Sequence, residues 1–152
     1  MKRNLVCTSI PELEQELDRL SGGAVKTSGL WSFAQILDHI ARSIEWANGQ
    51  KSGFLPDDVP MVDPALGKKF FSRMVRSGKI PTGVQNEASP STREEGDWQA
   101  QMARCKAALA TFVKFSGKRP QHPFFGFLEE SEWVTWAAMH SSHHLSFADL
   151  QE

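Results

Sequence analysis

The sequence predicts an all-α protein: an up-and-down four-helix bundle with long crossover loops, plus a short N-terminal helix. Three observations carry this. Apolar residues recur at steps of three and four along four long segments, the period of one helix face. Those segments open on capping residues and several close on glycine. No segment shows sustained alternation with β-branched residues, so strands are not expected.

The short helix comes first. Ser9-Ile10-Pro11-Glu12 combines an N-cap serine, a proline in the first turn and a glutamate able to close a capping box. Leu13, Leu17 and Leu20 then share one face, and Gly22-Gly23 stops the helix. The second start has Ser32 and Gln35 as its capping box. Phe33, Ile36, Leu37, Ile40, Ile44 and Ala47 form its apolar stripe, ended by Asn48-Gly49, and His39 lies on the flank, in line with Trp46. Residues 50 to 63 are rich in Gly, Pro and Asp and read as a loop. Asp63-Pro64 opens a third helix, with Leu66, Phe70, Phe71, Met74 and Val75, which ends at Gly78. Residues 79 to 92 form a second long connection, and two such stretches often shape a site. Thr92 and Glu95 box the start of a fourth helix with Trp98, Met102, Cys105, Leu109 and Phe112 on one face, ending near Ser116-Gly117. A loop containing His122-Pro123-Phe124-Phe125-Gly126 leads to the last helix, expected over Trp133 to Leu150.

The 152 residues suit a single domain with a real core. A net charge of −1 gives no basic footprint for nucleic acid. Five Trp and ten Phe with no Tyr point to large, dry contacts. Two distant cysteines, Cys7 and Cys105, exclude a disulfide scaffold and fit a reducing cytoplasm. The basic start is not followed by the long apolar run of a secretory leader, and no stretch reaches the length of a membrane span. No nucleic-acid or membrane partner is expected.

The chemistry lies in the last helix. Trp133, Ala137, His140, His144 and Phe147 recur at steps of four, three, four and three, so two histidines sit where an apolar stripe normally carries Leu or Ile. H-x-x-x-H on a helix is compatible with plain core histidines satisfied by backbone or water. Here the two imidazoles have no acidic residue within a turn before His144, and a shared cation would partner both. If the His39 helix lies beside the last one, three neutral imidazoles converge, the donor set of an open metal site. His143 is one position off the stripe, a solvent-edge residue or an acid or base near the site. His122, beside Pro123, shapes a turn, with covering the site's open end as the alternative. Cys105 reads as buried filler. Gln35 or Ser43 would orient His39, and Trp31, Trp133 and Trp136 would wall a pocket.

Trp31 to Ala41 (W-S-F-A-Q-I-L-D-H-I-A), His122 to Gly126 and Glu132 to Leu145 (E-W…H-S-S-H-H-L) resemble the DinB-like superfamily, and more narrowly a domain-of-unknown-function branch with an H-P-F-F-G loop before its last helix. The likeness runs from about Pro11 to Gln151. It implies a four-helix bundle, often dimeric, with one divalent metal held by His39, His140 and His144. It also implies a metal-dependent transferase, in relatives acting on low-molecular-weight thiols such as bacillithiol or isomerising maleylpyruvate with mycothiol. The expectation is therefore one divalent ion, zinc favoured and nickel, iron or manganese possible, and a small-molecule substrate, a thiol among the candidates, with transferase or hydrolase chemistry in a homodimer. The alternative is a non-catalytic ligand-binding or dimerisation module with structural histidines.

Overall fold

The computed structural model describes residues 2–55, 59–80 and 97–151. The elements run in the order α1 (Ile10–Leu20), β1 (Val25–Thr27), α2 (Phe33–Ala47), α3 (Pro64–Ser77), α4 (Trp98–Lys114), α5 (Glu130–Leu145) and β2 (Ala148–Leu150). Among the described residues the fold is all-α apart from one two-stranded ribbon.

Local chemistry sets the helix starts. The Ser9 hydroxyl caps α1 by accepting from the Glu12 amide. Ser32 and Gln35 form a complete capping box on α2. Asp63 caps α3 by accepting from the Ala65 amide, with Pro64 at the first helical position. Gly78 closes α3 in the left-handed conformation at φ 69°, which glycine adopts without penalty. The Thr92–Glu95 box lies outside the described residues; α4 begins at Trp98, capped by Asp97.

Helix packing differs from the expected grouping. α2 lies along α4 and also meets α5, while α1 packs on α5 and α4. The short helix is thus a full member of the packed group. Leu13, Leu17 and Leu20 are completely buried, and burial of each stabilises the fold by about 1.5–3 kcal/mol. Among the described residues α3 makes no extended contact with another helix. It rests on the His122–Gly126 loop instead. Phe71 meets Phe125 edge-on, and a Cβ at Gly67 would come within 2.6 Å of the Phe125 carbonyl.

The last helix is shorter than its pattern. It ends at Leu145, and Ala148–Leu150 pairs antiparallel with Val25–Thr27, Val25 opposite Leu150. Three-residue strands are too short to show alternation in sequence. The hydroxyls of Ser142 and Ser146 donate to the Met139 and His143 carbonyls, a local bond that competes with helix continuation. Arg3 completes the stop by donating to the Leu145 and Ala148 carbonyls. Phe147 therefore leaves the histidine face.

Candidate metal centre

The rotation of α2 about its axis is fixed on its α4 side. Arg104 donates to Asp38 at 2.7 Å and to both oxygens of Glu45, at 2.6 and 2.9 Å. Arg42 also donates to Asp38, and Cys105 donates to the Leu37 carbonyl. Asp38 and Glu45 are seven apart and share that face. His39, one residue on, is turned away from α4 towards α5.

On α5, His140 and His144 are one turn apart, and the three imidazoles converge. Each offers a nitrogen such that all three lie within 4.8 Å of one another. The ring centroids are 4.3 Å apart for His39–His144, 4.8 Å for His140–His144 and 5.3 Å for His39–His140. The expected His39, His140 and His144 are therefore brought together from two helices.

Aromatic rings enclose them. Trp31 stacks on His144 at 5.3 Å with only 5° between planes, and Trp136 stacks on His140 at 5.1 Å and 9°. Phe54, from the loop after α2, meets both His39 and His140. The three histidines are only 3–5% exposed. Trp31 and Trp136 wall the site as expected. Trp133 stands one layer back, against Trp46 and Trp136. Phe54 escaped the sequence reading; a lone aromatic after Gly53 in a polar loop was its only signal.

Burial dominates the electrostatics. It pushes His39 down to about 4 despite the nearby Asp38 carboxylate, and pushes His140 and His144 well below the usual histidine range. All three are neutral at pH 7, the form that ligates metals. The Nδ1 of His140 is buried and has no hydrogen-bond partner among the described residues, a costly state for a polar atom in an apolar setting. Three neutral nitrogen donors at this spacing could hold one metal ion.

The remaining candidates fall elsewhere. His143 is half-buried against His144 and Phe147, and burial lowers it to about 4. His122 shapes the turn. Its Nδ1 accepts from the Phe124 and Phe125 amides, and its backbone pairs with Gly126 in both directions. Gln35 Oε1 accepts from the Ser32 amide in the capping box, and Ser43 donates to the Ile40 carbonyl. Cys105 is fully buried and its thiol is pushed up by desolvation, the state of inert filler.

Among the described residues no helix is long and apolar enough to cross a membrane. No curated protein and no solved structure matches the chain. One family model, described as a protein of unknown function (DUF1569), matches residues 1–150. That span takes in the three histidines, the aromatic rings around them and the His122–Gly126 loop, so the chain belongs to the DUF1569 family of proteins of unknown function.

Proposed function

We propose that the protein is a DinB-like metal-binding protein that holds one divalent ion, zinc favoured, through His39, His140 and His144. We place it with metal-dependent transferases or hydrolases of small molecules, low-molecular-weight thiols foremost. The observation that carries this is the convergence of three buried, neutral imidazoles from two helices within 4.8 Å. When bound there, the ion would act as a Lewis acid and lower the pKa of water or thiol at its open positions. The chain's own part is to hold the donors neutral, fix their directions by stacking on Trp31 and Trp136, and keep bulk water out. A homodimer and a reducing cytoplasmic setting belong to the same proposal. Support for the setting is that Cys7 and Cys105 are both free and buried.

The test has two arms. His144→Ala should remove most bound metal, and unchanged stoichiometry would exclude His144 as a ligand. A thiol-transfer screen on metal-loaded protein that is silent for every common cellular thiol would exclude the transferase version.

One observation favours a second reading. The histidines are 3–5% exposed, a degree of enclosure that suits a structural centre in a non-catalytic ligand-binding or dimerisation module. Binding of an added ligand to the cobalt-loaded protein separates the two, because a closed centre takes none.

A further inference from the structure

A cleft of about 390 Å³ is lined by the turn that carries Phe54 and by Trp46, within the roughly 300–1,000 Å³ range of small-molecule sites. Trp46, Phe54, Leu55, Val59 and Met61 supply its apolar lining, and Gln50 and Gln121 its amide groups. Phe54 belongs to both the cleft and the histidine enclosure. Its ring lies 5.4 Å from His39, 5.8 Å from His140 and 5.5 Å from Trp46. Trp46 in turn meets Trp136, the ring stacked on His140. The cleft and the metal site are thus separated by a wall one ring thick.

The backbone beneath that ring is built as a turn. Ser52 donates to the Arg42 carbonyl at 2.7 Å, which ties the turn to α2. Gly53 follows at φ 78°, with Arg42 packed where its Cβ would be. Phe54 is therefore delivered to one place, half-buried between the cleft and His39.

We infer that this cleft is the subsite for the apolar body of the substrate, and that Phe54 is the ring a substrate displaces to bring its polar head to the three histidines. The ligand class is a compact organic molecule with a ring or short-chain body and a metal-seeking head. This inference rests on the metal reading above.

The test uses the full chain loaded with Co²⁺ and two probes that share one head, acetohydroxamate and benzohydroxamate, with visible absorbance as the readout. Burial of the extra ring in the cleft should make benzohydroxamate bind about tenfold tighter or more. Met61→Trp, at a half-exposed position on the cleft lining, should abolish that preference and leave acetohydroxamate binding unchanged. Phe54→Ala should speed benzohydroxamate association. Met61→Trp keeps the cobalt spectrum, since Met61 lines the cleft and is not a ligand. Equal affinity for the two probes, or a preference that survives Met61→Trp, overturns the subsite. An association rate unchanged by Phe54→Ala overturns its place in the path. Failure of Co²⁺ to give a spectrum at all overturns the metal reading and this inference with it, an outcome distinct from a cobalt site that responds equally to both probes.

Discussion

The imidazole of His39 on α2 lies 4.3 Å, centroid to centroid, from that of His144 on α5. Both are neutral and buried, so neither gains from the other by charge, and a shared ion would link the two helices. Zn²⁺ at about a hundredfold over its Kd should therefore stabilise the protein by about 2.7 kcal/mol, a rise in Tm of roughly 5–10 °C for a chain of this size. His39→Ala should lose that rise. An equal rise in the variant, followed by calorimetry, would put the zinc elsewhere.

The part of this site legible in the sequence is the part set by near neighbours. Helical spacing puts His140 and His144 on one face, and the Ser32–Gln35 and Asp63–Pro64 signals mark helix starts because caps act within one turn. The direction of His39 depends on Arg104 gripping Asp38 and Glu45 from another helix, which no periodicity encodes. The end of α5 is likewise completed by Arg3 from the far end of the chain. The place of α3 depends on such long-range contacts too. α3 has a good apolar stripe, yet Gly67 and Phe71 spend it on the His122–Gly126 loop.

His122 gives a pH dependence independent of the metal. Burial lowers it from 6.5 to about 3, and protonation of its Nδ1 would break the bonds from the Phe124 and Phe125 amides. The unfolded chain takes up this proton first. The stability His122 contributes is therefore complete above about pH 6.5 and is lost as pH falls towards 3, by up to about 1.4 kcal/mol per pH unit. Urea unfolding of wild type and His122→Asn between pH 7 and pH 5 should show the variant with the shallower decline. Identical slopes would mean that His122 takes up its proton equally in the folded and unfolded chains, against the lowering by burial.

Arg119 joins three helices at one end of the molecule. Its guanidinium lies 3.9 Å from the Phe112 ring centroid, donates to the Ala47 and Phe112 carbonyls, and pairs with Glu130. Arg119→Met should cost about 3 kcal/mol, because it leaves the Ala47 carbonyl without its donor, takes one of two donors from the Phe112 carbonyl and leaves Glu130 unpaired. Glu130→Gln should cost less than about 1 kcal/mol, since that side chain is 61% exposed. Denaturation midpoints that fall equally would contradict the clamp.

Gly67 tests how α3 is held. Its added Cβ would meet the Phe125 carbonyl carbon and oxygen at 2.6 Å, backbone that cannot swing aside. Gly67→Ala should destabilise by about 1–3 kcal/mol and leave metal content unchanged, since α3 supplies no ligand. A neutral or stabilising result in chemical denaturation would show that α3 does not press on this loop.

Whether the three histidines hold an ion is decided by elemental analysis. Plasma mass spectrometry on tag-free protein, purified without chelator beside His140→Ala, should find one divalent metal per chain in the wild type and almost none in the variant. No metal in either, even after addition of Zn²⁺, Ni²⁺ or Mn²⁺, would contradict the metal centre and leave three neutral imidazoles within 4.8 Å as packing alone.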